Sequence, residues 1–212
     1  PTRYTLVALL CLSLFSTVMA APLYQGSVMP DEYQWIQDES GQYRLDDTVG
    51  RPLGVTGQPD LPVRSLLLLV PADLPVVDIA IEPLSVRNET LPGKLAIVEA
   101  LEGSEGSLVE QHHVTATATA FPERWGQFGG LHAWRGYRLL AVNVHPFRVV
   151  RDSASDRLEV LEQFAVDVVT DPARTPEPML QRERLVPGER DELERVLTAM
   201  VANPERVAGY AR

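Results

Sequence analysis

YRLLAVNVHPFRVVRDSASDRLEVLEQFAVDVVT, residues 137–170, is the stretch that sets the fold class. Leu139 to Val144 reads as one strand, and Phe147 to Val150 continues it beyond Pro146. Arg151-Asp152-Ser153-Ala154-Ser155-Asp156 is a polar turn, from which Leu158-Glu159-Val160 and then Phe164-Ala165-Val166-Asp167-Val168 return. Toward the N-terminus the same alphabet recurs. Tyr33-Gln34-Trp35-Ile36 and Tyr43-Arg44-Leu45 flank Glu39-Ser40-Gly41, the pattern of a hairpin. Val63 to Val70 is a dense apolar run between Pro62 and Pro71, the length of a strand buried on both faces. Val77, Ile79 and Ile81 alternate with Asp78, Ala80 and Glu82, so one side of that strand faces a core and the other faces water. Leu95 to Val98 and Val114 to Ala120 are further strand candidates. Short strands punctuated by Pro and Gly predict an all-β fold, an antiparallel β-sandwich of jelly-roll-like form.

After Asp171 the composition shifts. Pro172, Pro176, Pro178 and Pro187, with charges between them, describe an extended linker. Leu193, Val196, Leu197, Met200 and Val201 then recur at helical spacing, with Pro204 just beyond Asn203. This helix either packs back on the sandwich or begins a following domain.

The 212 residues carry 19 Lys and Arg against 29 Asp and Glu, a net charge of −10, and Lys94 is the sole Lys. An acidic chain of this kind is a poor general nucleic-acid binder, because phosphate contacts need clustered cations. Its 45% hydrophobic content is that of a globular domain and too high for a disordered chain. Residues 1–20 read as a signal peptide: Arg3 supplies a positive start, Leu6 to Phe15 an apolar run, and Val18-Met19-Ala20 small residues before the cut. The run is too short and interrupted for a membrane span, so an exported product, secreted, periplasmic or on the cell surface, is expected to be free of the membrane after cleavage. A chain opening on Pro1 is expected to lack its true start. The leader holds the only cysteine, Cys11, so residues 21–212 have no thiol nucleophile, thiolate metal site or disulfide.

Motifs for chemistry are sparse. His112-His113 are adjacent, and neighbours on a strand point to opposite faces. His132 and His145 lie elsewhere, outside any two-ligand spacing. Gly103-Ser104-Glu105-Gly106-Ser107 is one residue short of a nucleophile elbow and reads as a turn. Asp46-Asp47, Asp152 and Asp156 lack calcium-loop spacing. No cofactor or metal is expected. Asn88-Glu89-Thr90 matches a glycosylation sequon. The stretch from Phe121 to Arg138 gathers two of the three Trp, Trp125 and Trp134, with Arg124, Arg135 and Arg138. Such residues either form a recognition surface or cover one end of the core.

Two segments resemble the N-terminal propeptide of gingipain-type secreted cysteine peptidases. One is Gly57-Gln58-Pro59-Asp60-Leu61-Pro62-Val63-Arg64-Ser65 with the apolar strand ending at Val70-Pro71. The other is Gly136-Tyr137-Arg138 through Val142-Asn143-Val144-His145-Pro146-Phe147, then a polar turn and Leu158-Glu159-Val160. Together they place most of residues 50–170 in register with that domain. The resemblance implies a β-sandwich that precedes the catalytic domain, assists its folding and keeps it latent until cleavage. Residues 1–20 are then the leader, 21–171 the prodomain, and 172–212 the linker and helix leading to a downstream cysteine peptidase domain, the implied partner. If that partner prefers Arg, Arg124, Arg135 and Arg151 are the candidate inserts for its specificity pocket. Arg182, Arg184 and Arg190 in the Pro-rich linker are the processing candidates. The competing expectations are a stand-alone exported binding module, for carbohydrate or protein, using Trp125 and Trp134, and, least favoured, a hydrolase in its own right.

Overall fold

A computed structural model of the chain describes residues 22–28, 33–47, 50–98, 119–151, 156–174 and 187–210. In chain order the elements are β1 (Tyr24–Ser27), β2 (Tyr33–Gln37), β3 (Tyr43–Asp47), β4 (Arg51–Pro52), β5 (Pro62–Val70), β6 (Val76–Thr90), β7 (Ala120–Phe121), β8 (Gly126–Trp134), β9 (Tyr137–Val144), β10 (Phe147–Val150) and β11 (Arg157–Thr170). Two helices follow, α1 (Pro187–Met200) and α2 (Glu205–Ala208). Residues 1–20, read above as a signal peptide, and Val114 to Ala118, His112-His113, and Gly103 to Ser107 lie outside the described residues.

Two antiparallel sheets form the sandwich. In the first, β11 is central: β6 runs along one edge, and β1 and β10 share the other, with β7 beyond β10. The second has the order β4-β5-β9-β8. The expected hairpin is present as β2–β3, with Trp35 opposite Leu45. Its turn is held by the Asp38 carboxylate, which accepts hydrogen bonds from the Ser40 and Gln42 amides at 2.9 and 3.0 Å.

The segment after Pro146 does not extend β9. β9 pairs with β5 and β8, whereas β10 pairs with β7 and β11, so the chain leaves one sheet for the other at His145-Pro146. Proline lacks the N–H that would continue the β9 ladder. Similarly, the two short returns expected after Asp156 are one 14-residue strand, β11, with irregular register around Leu161–Phe164. Bulges let one strand bend without ending. Leu95 to Val98 makes isolated bridges to Tyr43, Thr56 and Pro59 in place of a ladder.

Three apolar cores follow from this arrangement. The largest holds Leu68, Val70, Leu140, Val142 and Val144 of the second sheet together with Ile79, Leu161, Phe164 and Val166 of the first. A second holds Leu61, Phe121, Phe147, Val149, Leu158 and Val160 with Leu45, and Tyr33 and Trp35 of the hairpin pack against it. Tyr33 also donates its phenol to Glu89 of β6 at 2.6 Å; burial and that carboxylate push the phenol up to about 12. The third core lies on the outer face of the second sheet, where Leu69, Tyr137 and Leu139 meet Leu193, Leu197, Val201 and Val207. Helix α1 therefore packs back on the sandwich. Because alternate residues of β5 face different cores, the strand needs apolar side chains on both sides. The uninterrupted run Leu66 to Val70 meets that need.

The packing of the helix corrects one member of its predicted stripe: Met200 is 47% exposed, while Leu193, Leu197 and Val201 are buried. Asn203 is fully buried and grips β5 at two points. Its side-chain oxygen accepts the Leu69 amide at 2.8 Å, and its side-chain nitrogen donates to the Leu69 carbonyl at 3.0 Å. The Ala202 amide donates to the Leu67 carbonyl at 2.8 Å. β5 meets β4 only at Pro62 and Val63. Ala202 and Asn203 satisfy part of the strand edge that β4 leaves open, and an open edge otherwise strands backbone donors and acceptors.

Candidate functional site

Arg124, Trp125, Trp134 and Arg135 fall at the two ends of β8. At one end, the Phe121–Gly126 loop lies against the sheet crossover. Trp125 is only 8% exposed and belongs to the largest core, and the Arg148 guanidinium sits 4.4 Å above its ring. Arg148 is itself fixed by Glu159, with contacts of 3.0 and 2.7 Å. The Trp125 ring thus covers core and is turned away from solvent. Trp134, at the other end, is half-buried against the helix-covered core.

The three candidate arginines are held in different ways. Arg124 reaches Asp78 at 3.1 Å and the Ile79 carbonyl at 2.7 Å, which ties its loop to β6. Arg151 approaches the Gln58 side-chain oxygen at 3.4 Å. Arg135 occupies the tip of the β8–β9 hairpin, where Trp134 pairs with Tyr137 and only Arg135-Gly136 turn the chain. Both turn residues have positive φ, +46° and +80°. Two-residue hairpin turns require that sign, and a non-glycine residue adopts it at some cost. Arg135 is exposed and makes no hydrogen bond or ion pair among the described residues. Arg124 and Arg135 are separated by the length of β8, roughly 30 Å at about 3.3 Å per residue. One cleft therefore cannot take both.

Of the processing candidates, Arg182 and Arg184 lie outside the described residues. Arg190 is not in the linker. It sits in α1, which begins at Pro187, and its guanidinium is 2.9 Å from Glu194 one turn on. Pro is well suited to a first helical position, which explains the early start.

Two further groups were named in the sequence without the role that they have. Arg138 is buried; its guanidinium donates to the carbonyls of Ala72 and Leu74, and its amide donates to the Tyr210 phenol. It holds the β5–β6 turn and the chain end against β9. His145, at the crossover, is 7% exposed, and its Nδ1 lies 2.8 Å from the Arg124 carbonyl. A carbonyl only accepts, so Nδ1 carries the proton, and Nε2 is buried without a partner among the described residues. Burial, with a smaller push from the nearby Arg124 charge, outweighs the carbonyl contact and holds this ring below the ordinary histidine value of 6.5. The unfolded chain then takes up the proton first. The stability contributed is complete above 6.5 and is lost as pH falls below it. Urea midpoints measured from pH 7.5 to 5 should drop more steeply for the natural chain than for His145→Asn, which keeps a donor toward Arg124 but does not titrate.

No group of three or more metal-capable side chains occurs among the described residues. No described helix is long and apolar enough to cross a membrane. Asn88 of the sequon lies on β6, where its side-chain oxygen accepts from Arg157 at 3.2 Å.

The two-sheet sandwich with its covering helices is similar in fold to a chain of a solved gingipain complex. The chain resembles in particular a chain of the complex of the pro- and mature domains of RgpB from Porphyromonas gingivalis, with TM-score 0.56 and 16% identity. The likeness covers 85% of this chain and 90% of that one. A structure describing zymogenic latency of gingipain K from Porphyromonas gingivalis matches at TM-score 0.44 and 17% identity, over 66% of this chain and 81% of that one. No protein-family profile and no curated protein matches the sequence. At these identities the likeness is one of fold.

Proposed function

We propose that residues 21–171 are the prodomain of a secreted gingipain-type cysteine endopeptidase, acting as an intramolecular chaperone and keeping the enzyme latent until it is cut. The observation that carries this reading is the whole-domain likeness to a chain of the RgpB pro- and mature-domain complex, which spans 90% of that chain. The absence of cysteine from residues 21–212 agrees with a segment that restrains a thiol enzyme without being one. Residues 1–20 direct export, and residues 172–212 tether the sandwich to the peptidase.

A tether makes such restraint efficient. A covalently linked inhibitor sits at high effective concentration, so modest contacts hold until the link is cut. Among the three arginine candidates, Arg135 best suits insertion into a specificity pocket. It projects from the tip of a rigid two-residue turn, while Arg124 and Arg151 are engaged with neighbouring groups. Arg182 and Arg184, between Arg174 and Pro187, remain the candidate processing positions. The reading frame beyond Arg212 tests the proposal: an in-frame domain with a paired His and Cys is expected. A stop codon close to Arg212, with saccharide-dependent quenching of tryptophan fluorescence, would favour a stand-alone binding module instead.

A further inference from the structure

The segment holding α1 and α2 is joined to the sandwich through residues 171–187, yet it is held there by much more than that connection. Leu193, Leu197, Val201 and Val207 are buried against Leu69, Tyr137 and Leu139. Ala202 and Asn203 complete hydrogen bonding on β5 at Leu67 and Leu69. Tyr210 stacks on Tyr137 at 5.1 Å between ring centres and accepts the Arg138 amide at 3.0 Å. Apolar anchors in a continuous patch, ringed by backbone hydrogen bonds, are the features of a stable interface between separate chains.

We propose that residues 187–210 are a non-covalent ligand of the outer face of the second sheet, so that a cut between Arg174 and Pro187 does not separate them from the sandwich. The specificity lies in Asn203. A strand edge offers a donor and an acceptor at Leu69, and one primary amide satisfies both. A side chain with only one of these functions cannot do this. Chain scission removes the tether but none of these contacts. A first cut in the linker therefore yields a nicked, still assembled protein, and release requires a second event that loosens α1–α2. This consequence for latency rests on the prodomain reading; the association of the two pieces does not.

The test uses the full chain with the recognition sequence of a site-specific endoprotease inserted between Arg174 and Pro187, cut after folding. Size-exclusion chromatography and native mass spectrometry at micromolar concentration should return one species of intact mass, which separates into two fragments in urea. Asn203→Ala in the nicked protein should raise the dissociation constant of the helical fragment at least tenfold. Met200→Ala, at an exposed position, should leave it unchanged. Circular dichroism of uncut Asn203→Ala reports whether that variant still folds. A helical fragment that elutes alone from the nicked natural chain overturns the proposal. Equal retention by folded Asn203→Ala overturns the role given to that amide. Neither outcome bears on whether the sandwich restrains a peptidase, since no peptidase is present.

Discussion

Phe147→Ala is expected to lower the unfolding free energy by about 3–5 kcal/mol, the range for truncating a fully buried aromatic side chain. Phe147 is the first residue of β10 after the chain changes sheets, and none of it is exposed. Its ring meets Tyr33 edge-on at 4.8 Å, so it joins the sheet to the hairpin lying over the second core. Removing it leaves a cavity between elements distant in sequence, which cannot easily collapse because β10 is fixed by β11 on one side and β7 on the other. Chemical denaturation, with the midpoint falling and the slope unchanged, is the check. A loss below about 1 kcal/mol would mean that the hairpin does not cover this ring.

Asn203→Ala should cost about 3–5 kcal/mol. Each lost hydrogen bond contributes about 1 kcal/mol net, and the Leu69 amide and carbonyl left unpaired add a desolvation penalty of about 1–3 kcal/mol. For a domain of this size that is a fall in Tm of roughly 10 °C. Asn203→Asp should not rescue it, because the carboxylate keeps the acceptor, loses the donor and brings a charge into a site with no exposure. Differential scanning calorimetry of the three proteins at one pH separates these cases. Asn203→Ala within about 0.5 kcal/mol of the natural protein would contradict the clamp.

Much of the architecture was legible because local pattern and tertiary role agree. Alternation at Val77, Ile79 and Ile81 marked a strand with one wet side, and the turn at Glu39-Ser40-Gly41 marked a hairpin. The Leu66–Val70 run signalled burial on both faces, although its second cover turned out to be the C-terminal helix. The failures share a cause: pairing partners are not written in local periodicity. Phe147 to Val150 has the same pattern whichever sheet it joins, and only the proline before it hints at a break. Ser85 to Thr90 is largely polar and follows Pro83, yet it pairs with β11 as the outer end of an edge strand. An apolar helical stripe at Leu193, Leu197 and Val201 says that something is covered but not what.

The candidate site was legible only in part. Arg135 was singled out as a candidate insert, but its place at an exposed hairpin tip was not legible. Trp125 was balanced between surface and core until the crossover placed Arg148 over it. Asn203 looked like a helix-stop residue, because a side chain that completes a distant strand leaves no mark in its own neighbourhood. Arg138 was named only as part of an aromatic and Arg-rich stretch, and nothing near it in sequence announces the carbonyls of Ala72 and Leu74.

The most direct test of restraint is a titration of purified residues 21–212 against the mature peptidase that the proposal places downstream in the same frame, followed with a peptide substrate. Stoichiometric loss of turnover, weakened at least tenfold by Arg135→Ala and restored on removing the added chain, is the predicted result. Full peptidase activity in the presence of excess folded chain would contradict it.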